Sequence, residues 1–449
     1  MLTPIPRILL AGTGSGCGKT TVSCAVLQAL VNRHRRVGAF KCGPDYIDPM
    51  FHSRVIGAGS ANLDLFFFGA PTLRAVLAED AADRDISIIE GVMGYYDGRT
   101  LTSSEGSSHQ VAQVTESPVV LVVNARGAAL SVLAVIRGFL DFCPDSRIRG
   151  VILNQCSAGT YPALAKAIRE RLGIAALGYL PRMESCSLES RHLGLVTADE
   201  VENLRHKLQL LAAQAEKSLD LDAIEALARL APPVRHEPQL LPRLEPVRIA
   251  VARDRAFCFY YEDSLEVLRR LGAELVEFSP LEDAHLPEHL QGLFLGGGYP
   301  ELYAGQLSAN RSLRQEIRAA LERGLPCIAE CGGLMYLTEE IAGAPMAGAL
   351  PGRCFDTGTL CRFGYVTLTA KHDNLLCRAG ESFPAHEFHR WDCTDPGADF
   401  AAVKPSGRAW SAAIATDTLY AGFPHFHFRA NPASAIRFYE ACLKEKHHD

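Results

Sequence analysis

The chain has 449 residues, of which 48% are hydrophobic and 21% charged, and its formal net charge is −6. This composition is typical of globular proteins and excludes a disordered chain. The length predicts two or three domains, because one hydrophobic core seldom spans so many residues. A net negative charge leaves no broad basic face for a phosphate backbone, so we expect no nucleic-acid partner.

The distribution of cysteines and the length of the apolar runs indicate where in the cell the protein is located. The 14 cysteines are scattered and form no CxxC pair, and residues 1–7 lack the pattern of a secretory signal peptide. We therefore expect reduced thiols and a cytoplasmic location. The longest apolar runs, such as Val119–Val123, are far shorter than the ~20 residues of a membrane-spanning helix, so we expect no membrane association.

Short apolar runs alternate with helical patterns through the first half of the chain. Each run has the length of a buried strand and is often β-branched. Most of them are followed by glycine, asparagine or an acidic residue, at the end where parallel α/β sheets bind ligands. The pattern predicts a doubly wound α/β domain. Its predicted strands are Ile8–Ala11, Val37–Lys41, Ile86–Glu90, Val119–Asn124, Val151–Asn154 and Ala175–Tyr179.

Prolines recur over residues 231–246 and exclude a continuous helix or a central strand there. We interpret this segment as a linker between a domain of residues 1–230 and a domain of residues 247–449. The alternation of strands and helices restarts after it, so the second domain is also predicted to be α/β. Its predicted strands are Arg248–Ala252, Glu274–Phe278, Leu293–Leu295, Cys327–Ala329 and, later, Val366–Ala370. The end, His447 to Asp449, is predicted to be a solvated tail.

A glycine-rich segment follows the first predicted strand and precedes a helical pattern. In such a turn backbone N–H groups converge on phosphate oxygens, a lysine reaches the β- and γ-phosphates, and a hydroxyl binds magnesium. Lys19 and Thr20 have the residue types for the last two roles, and Asn154 ends a later strand. The predicted ATP-binding residues are Thr13, Gly14, Ser15, Gly16, Cys17, Gly18, Lys19, Thr20 and Asn154.

The spacing of this loop is a variant, because five residues separate Gly12 from Gly18. Loops of this type resemble those of dethiobiotin synthetase and its relatives, which phosphorylate carboxylates. Partition-type ATPases of the same fold carry an additional lysine early in the loop, where this chain has Gly14. The loop therefore favours a carboxylate-activating enzyme over a partition ATPase.

Acidic residues follow the second and third predicted strands directly. Asp45 comes after the run that ends at Lys41, and Glu90 ends the next run. Magnesium prefers hard oxygen ligands, and one or two carboxylates with phosphate oxygens and waters are sufficient to bind it. We therefore predict a magnesium site formed by Thr20, Asp45 and Glu90.

A cysteine in the second domain stands between a short apolar run and a helical pattern. Such an elbow strains the backbone of Cys331 and exposes its thiol, and the N-terminus of the following helix favours thiolate. The glycine-rich end of the preceding strand can present N–H donors to an oxyanion. The predicted donors are Gly297, Gly298 and Gly332.

A nucleophilic cysteine requires a base, and His425 follows a late predicted strand. The segment His386 to His389 has its two histidines three positions apart, whereas the zinc-protease helix needs four. We interpret that segment as a structural or substrate-side loop. A phosphate loop and a cysteine site on one chain predict a synthetase that takes ammonia from glutamine.

Ordered motifs along essentially the whole chain resemble those of the cobyrinate a,c-diamide synthase family. The motifs are GPDYIDP (43–49), ANLDLF (61–66), EGVMGYYDG (90–98), RHLGLV (191–196), LGGGYPE (295–301), AECGGLMYL (329–337) and HEFH (386–389). The resemblance implies an N-terminal domain similar to dethiobiotin synthetase and a C-terminal class I glutaminase domain of flavodoxin-like type. It also implies ATP-dependent amidation, with magnesium and glutamine, of the a and c acetate groups of cobyrinate or a related tetrapyrrole.

The resemblance assigns the nucleophile to Cys331 and its activation to His425. Class I glutaminases usually carry a carboxylate two residues after the histidine, and that position is His427 here, so the usual third member of the triad is missing. Whether His425 or His427 is the base stays open. The candidates for the corrinoid side are Tyr46, Ile47, Asp48 and Asp97.

Two kinds of alternative remain open at this point. The macrocycle is cobyrinate, hydrogenobyrinate or nickel-sirohydrochlorin, and the motifs do not distinguish among them. A different class is a nucleotide-dependent binding or partition switch with an inert cysteine domain. The sequence leaves the oligomeric state undetermined, with a homodimer as one option.

Overall fold

The structure is a computed structural model that describes residues 1–183, residue 186 and residues 198–446, with the side chains of 198–201 left aside. The motif at 191–196 and the predicted tail at 447–449 lie outside the described residues. The chain forms two compact units, Met1–Gln239 and Leu240–Asp449. The boundary between them falls inside the segment predicted to be a linker.

The strands of the first unit include every run predicted from the sequence: two have the predicted bounds, and the other four are longer by one to three residues. The strands are β1 (Leu2–Thr3), β2 (Arg7–Gly12), β3 (Val37–Cys42), β4 (Gly59–Leu63), β5 (Ile86–Glu90), β6 (Val119–Asn124), β7 (Ile148–Asn154), β8 (Ala175–Leu180) and β9 (Val234–Arg235). Within the described part of the unit, β2 to β8 form one parallel sheet in the order β4-β3-β5-β2-β6-β7-β8. The short strands β1 and β9 pair with each other, so part of the predicted linker is a strand.

Helices cover the sheet of the first unit. They are α1 (Lys19–Asn32), α2 (Ile47–Phe51), α3 (Ala70–Asp80), α4 (Ser108–Val114), α5 (Ser131–Asp141), α6 (Tyr161–Leu172), α7 (Ala198–Ser218) and α8 (Leu221–Arg229), with a π-helical turn at His52–Ile56. Helix α1 is buried from Val22 to Leu30 and packs against α7, which places it between the sheet and an outer helix. Its first residue, Lys19, is therefore fixed at the edge of the sheet.

The second unit contains a parallel sheet and a set of antiparallel strands. The strands are β10 (Arg248–Ala252), β11 (Phe257–Phe259), β12 (Glu274–Phe278), β13 (Gly292–Leu295), β14 (Gly297–Gly298), β15 (Cys327–Glu330), β16 (Glu340–Ile341), β17 (Ala344–Pro345), β18 (Arg353–Asp356), β19 (Arg362–Ala370), β20 (Ser382–His389), β21 (Trp391–Cys393), β22 (Phe400–Val403), β23 (Ala409–Ala412), β24 (Ile414–Ala415), β25 (Leu419–Gly422) and β26 (His425–Phe426). The order β12-β10-β13-β15-β25 is the flavodoxin-like order, and β24 adds an antiparallel edge strand. The prediction of a flavodoxin-like sheet is confirmed.

A second sheet of this unit has the order β23-β22-β19-β20-β26 and is antiparallel. It contains the segment His386 to His389, so the prediction of a loop there is wrong. Hydrogen bonding to β19 along the length of β20 holds this segment as a strand, and Ala385, His386 and Glu387 are all buried, which obscures the alternation that identifies a strand. The short strands β16, β17, β18 and β21 form a further sheet, and β11 pairs with β14.

The helices of the second unit connect the parallel strands. They are α9 (Glu262–Leu271), α10 (Ala304–Ala309), α11 (Arg311–Glu322), α12 (Gly332–Leu337) and α13 (Pro432–Lys446), with a 3-10 turn at Pro300–Tyr303. Among the residues that the structure describes, no helix is both long and apolar enough to span a bilayer.

Candidate active site

The predicted phosphate loop joins the end of β2 to the start of α1, as its residue types require. Gly18 has φ of 92°, and a methyl carbon in place of its hydrogen would lie 1.9 Å from the Asn154 side-chain nitrogen. That nitrogen donates to the carbonyl of Cys17 at 2.9 Å. Asn154 therefore braces the loop from the end of β7, and only glycine fits opposite it.

The Lys19 ammonium lies over the loop. Its Nζ donates to the Met93 carbonyl at 2.5 Å and to the Gly14 carbonyl at 3.5 Å. Burial lowers the pKa of Lys19 from its ordinary value. Because these two acceptors are neutral carbonyls, they leave the positive charge available to an anionic ligand.

A buried cluster of charges lies at the ends of β3 and β5. Glu90 Oε1 accepts from the Thr20 hydroxyl at 2.9 Å and from Lys41 Nζ at 2.9 Å, and Lys41 Nζ lies 2.5 Å from Asp48 Oδ2. Burial alone would lower the pKa of Lys41, but the carboxylates of Glu90 and Asp48 raise it well above its ordinary value. No role was predicted for Lys41, although a lysine within an apolar strand was a signal that it needed a buried anionic partner.

Asp45 lies beside Asp48. Burial, with the nearby Asp48 carboxylate, raises the pKa of Asp45 to about 6, and its Oδ1 accepts from the backbone N–H of Ile47 at 2.8 Å. Burial alone would raise the pKa of Asp48, but the Lys41 ammonium lowers it. The structure thus brings Thr20 and Glu90 into contact and connects Asp48 to them through Lys41.

The residues predicted to face the corrinoid lie in two loops at one edge of the sheet. Tyr46, Ile47 and Asp48 follow β3, and Asp97 follows β5, which pairs in parallel with β3. Asp97 Oδ2 accepts from the backbone N–H of Gly94 at 2.7 Å and closes its turn. Since the carboxyl ends of parallel strands meet at one edge, the loop after β5 adjoins the phosphate loop after β2, and the loop after β3 lies next to it on the other side of β5.

Cys331 stands alone between β15 and α12 in a strained backbone conformation. Its φ is 50° and its ψ is −101°, a region that non-glycine residues seldom occupy. Its side chain is close to fully buried, with 8% of the residue exposed. This geometry is that of a nucleophile elbow, in which a strand turns at once into a helix.

His425, not His427, lies against the cysteine. The imidazole of His425 and the thiol of Cys331 are hydrogen-bonded, and His425 Nδ1 donates to Glu330 Oε2 at 3.0 Å. Burial alone would lower the pKa of His425, but the hydrogen bonds and charges of Cys331 and Glu330 raise it to about 10. His427 instead pairs with Asp263 Oδ1 at 2.9 Å.

Glu330 is the residue of this site that the sequence analysis missed. The position two residues after His425 has no carboxylate, as expected, because it is His427. Glu330, which ends β15 just before the nucleophile, supplies a carboxylate to His425 instead. Glu330 is 4% exposed. An acidic side chain at the end of the apolar strand β15 was the available signal, since a buried carboxylate needs a partner.

The three glycines predicted to form an oxyanion site surround Cys331 and His425. A methyl carbon at Gly297 would lie 2.6 Å from Cε1 of His425, and one at Gly332 would lie 3.1 Å from the backbone nitrogen of Gly298. The backbone therefore approaches the imidazole and the elbow more closely than any side chain would allow. The N–H groups of these three glycines stay the predicted donors to an oxyanion.

His386 lies beside the catalytic candidate His425 on the neighbouring strand, since the two residues are paired in register between β20 and β26. Burial, with the charge of His425, lowers the pKa of His386 to about 3, so this second imidazole is neutral. His389 faces elsewhere and stacks on Phe423 with ring centroids 4.1 Å apart. Of the HEFH motif, His386 is thus the residue that pairs in register with His425.

Two family descriptions match the chain, one for each unit. Residues 8–196 match the CobQ/CobB/MinD/ParA nucleotide binding domain, and residues 248–433 match the CobB/CobQ-like glutamine amidotransferase domain. These matches confirm the predicted order of a nucleotide-binding domain followed by a glutaminase domain.

Relatives named cobyrinate a,c-diamide synthase match the chain from end to end. That of Gloeobacter violaceus is 42% identical and covers 97% of each chain. That of Caldanaerobacter subterraneus subsp. tengcongensis is 40% identical over 97% of this chain and 98% of its own. That of Thermoplasma volcanium is 40% identical over 98% of both. The chain belongs to the cobyrinate a,c-diamide synthase family.

Proposed function

We propose that this chain catalyses the ATP- and glutamine-dependent amidation of the a and c acetate groups of cobyrinate, through acyl phosphate intermediates, in cobalamin biosynthesis. The observation that carries the proposal is the end-to-end match to relatives named for this reaction. Two features of the chain support it independently: the loop from Gly12 to Thr20, and the hydrogen-bonded pair of Cys331 and His425.

Glutamine supplies the ammonia in the first half-reaction. The Cys331 sulfur attacks the side-chain amide carbon of glutamine, and His425 delivers a proton to the nitrogen, so that the C–N bond breaks and ammonia leaves a thioester. Water then attacks the thioester, His425 takes its proton, and the C–S bond breaks to release glutamate and restore the thiol. N–H groups of Gly297, Gly298 and Gly332 stabilise the oxyanion in both steps.

The acetate needs activation in the second half-reaction, because an oxide is too poor a leaving group for ammonia to displace. Transfer of the γ-phosphoryl group of ATP to the acetate gives an acyl phosphate, which ammonia attacks with loss of phosphate. Lys19 neutralises charge on the phosphoryl oxygens, and the backbone N–H groups of the loop orient them. Asn154 holds the loop in place through Cys17.

The residues near the loop fit a magnesium ion that phosphate oxygens also hold. The Thr20 hydroxyl contacts Glu90, whose Oε2 is buried and makes no hydrogen bond to any described residue. In the described ranges no group of three or more His, Cys, Asp or Glu side chains is arranged to hold a metal. Such a sparse donor set suits magnesium, which keeps several waters and takes phosphate oxygens as ligands. Magnesium bound by Thr20, Glu90 and Asp45 would neutralise charge that develops during phosphoryl transfer.

The loops after β3 and β5 lie at the same edge of the sheet as the phosphate loop and are suited to contacting the substrate. We assign Tyr46, Ile47, Asp48 and Asp97 to the corrinoid side of the site. The location that fits these reactants is the cytoplasm, where ATP is available and thiols stay reduced.

Mass spectrometry of reaction products tests this function. The purified protein is incubated with ATP, magnesium and glutamine and with cobyrinate, hydrogenobyrinate or nickel-sirohydrochlorin in separate reactions. We expect a mass decrease of about 1 Da for each acetate converted to an amide, with cobyrinate as the preferred substrate. A preference for either of the other macrocycles would assign the same chemistry to that tetrapyrrole.

The Cys331→Ala variant separates a synthetase from a nucleotide-dependent switch. A synthetase loses glutamine-supported amidation and keeps ammonia-supported amidation, because the acyl phosphate still forms. A switch gives no amide with either nitrogen source. Absence of amide from the unaltered protein on all three macrocycles would contradict the proposed function.

A further inference from the structure

A buried carboxylate lies on the side of His425 opposite the thiol. Glu330 Oε2 accepts from His425 Nδ1 at 3.0 Å, and the two side chains are about 5% exposed or less. The other oxygen, Oε1, lies 3.4 Å from the backbone N–H of Phe426, which donates to it. The two contacts of one carboxylate fix both the imidazole and the strand that bears it.

The residue two positions after His425 cannot take this role. His427 is 1% exposed, pairs with Asp263, and stacks on Tyr261 with ring centroids 4.8 Å apart. His425 and His427, two positions apart, thus pair with different buried carboxylates. The pair of Glu330 and His425 includes the imidazole that contacts the nucleophile, and the pair of Asp263 and His427 does not.

A carboxylate on Nδ1 fixes the tautomer of an imidazole. With the Nδ1 proton donated to Glu330, Nε2 is the nitrogen left to accept the proton of Cys331. We propose that Glu330, the residue before the nucleophile, is the positioning residue that completes a cysteine, histidine and glutamate triad in the glutaminase site. It acts through His425 and touches no substrate atom.

The charges around His425 agree with this role. The titratable groups that face it are Cys331, Glu330 and, on the neighbouring strand, His386. Burial holds His386 neutral and lowers its pKa to about 3, so Glu330 is the one anionic oxygen acid among these three. Removing its charge lowers the pKa of His425 and destabilises the imidazolium that forms when the thiol gives up its proton.

The inference rests on the glutaminase half-reaction of the proposed function. In that half-reaction the imidazolium forms twice, once when Cys331 loses its proton and once when water attacks the thioester. An acceptor on Nδ1 stabilises both steps, so its loss lowers kcat more than it raises the KM for glutamine.

The test compares Glu330→Gln and Glu330→Ala with the matched control Asp263→Asn, which alters the other buried pair. Glutamine hydrolysis is measured by glutamate release, and thermal melting monitors folding. We expect Glu330→Gln to lower kcat roughly 100-fold or more, since it removes the charge and favours the wrong tautomer, and Glu330→Ala to lower it at least as much. Asp263→Asn, although less stable, is expected to keep kcat within about threefold.

The pH dependence of Cys331 alkylation by iodoacetamide gives a readout that a structural defect would not move. In Glu330→Gln the alkylation rate at pH 7 should fall and should rise with pH like that of an ordinary thiol, because the imidazolium beside the sulfur is no longer stabilised by the carboxylate. A folded Glu330→Gln protein with unchanged kcat and an unchanged alkylation profile would overturn the inference. Equal losses in Glu330→Gln and Asp263→Asn would also overturn it.

If the proposed function itself is wrong, the experiments give a different result from the one that overturns the role of Glu330. In that case the unaltered protein itself would release no glutamate and form no amide, whatever stands at position 330. Ammonia-supported amidation by Glu330→Gln at the unaltered rate shows that the nucleotide-dependent half is intact, so a loss confined to glutamine use supports the triad.

Discussion

The phosphate loop and the cysteine site hold their reactive groups in different ways. At the loop, nine consecutive residues from Gly12 to Thr20 supply the backbone and the lysine, and the neighbouring strands β3 and β5 balance the charge through Lys41 and Glu90. At the cysteine site, a strained backbone presents the thiol, and a histidine 95 positions after Glu330 reaches it. The first site is a charge network and the second a line of hydrogen bonds, so substitutions should affect them differently.

The largest expected effect is at Lys19. Lys19→Met removes the cation that faces phosphate, so we expect amidation with either nitrogen source to fall roughly 10³-fold while glutamine hydrolysis persists. Product mass spectrometry and glutamate release measure the two activities. Lys166→Met on α6, whose side chain is 72% exposed, is the matched control and should change neither. Ammonia-supported amidation within tenfold of the unaltered rate would show that Lys19 takes no part in activation.

Lys41 should matter for stability as well as for activity. Lys41→Met leaves the buried carboxylates of Glu90 and Asp48 without their cation, which typically costs about 3–5 kcal/mol. Urea denaturation followed by circular dichroism measures the loss. Lys166 provides the comparison again, because its pairing with Glu170 at 3.8 Å is exposed and contributes little. If both lysine variants unfold at the same urea concentration, the buried network is not a source of stability.

The sequence alone predicts a site well when its residues are consecutive, and poorly when they come from distant parts of the chain. The loop residues are consecutive and follow a strand with a clear pattern, so their roles and the sheet around them were predicted. Glu330 was overlooked because its partner, His425, comes from a strand pairing that no local pattern encodes. Strand β4, Gly59–Leu63, was also missed, since glycine, serine and asparagine weaken the strand pattern at an edge position.

The antiparallel sheet of the second unit illustrates the same limit. One strand of this sheet was predicted, Val366–Ala370, whereas the observed β19 begins at Arg362, pairs with β20 and β22, and shares the sheet with four other strands. Buried polar residues such as His386 and Glu387 break the alternation that marks a half-buried strand. The position of His386 beside His425 could therefore come only from the register of β20 and β26.

A substitution at Gly297 tests whether the cysteine site depends on the close approach of the backbone to His425. Gly297→Ala places a methyl carbon 2.6 Å from His425 Cε1, which displaces the imidazole from the thiol. We expect glutamine hydrolysis to fall about 100-fold, as when a hydrogen-bonding group at an active site is lost, and ammonia-supported amidation to stay unchanged. Gly305→Ala on α10, where a methyl carbon meets open space, is the control. Full glutaminase activity in Gly297→Ala would mean that the imidazole can relax without cost.

The smallest expected effect is the pH dependence of Cys331 alkylation in the unaltered protein. It tests the hydrogen bonds that connect Cys331, His425 and Glu330. The pKa of His425 is raised to about 10, so the imidazolium form persists beside the Cys331 sulfur through neutral and mildly alkaline pH, and a cationic neighbour favours the reactive form of a cysteine. The rate constant for alkylation of Cys331 by iodoacetamide should therefore change less than about threefold between pH 7 and 9. Over the same range a free cysteine derivative with the ordinary pKa of about 8.5 reacts about 20-fold faster at the upper end.

The expected pH dependence of Cys331 alkylation follows from the pH at which His425 loses its proton. Raising the pH through about 10 removes the imidazolium proton of His425, and only above that value does the Cys331 sulfur lose its cationic neighbour. Peptide mass spectrometry assigns the alkylated residue, since 13 of the 14 cysteines are not the nucleophile. A rise at Cys331 as steep as that of the free derivative would mean that the thiol is protonated at pH 7, and the cysteine site would then depend on backbone strain alone.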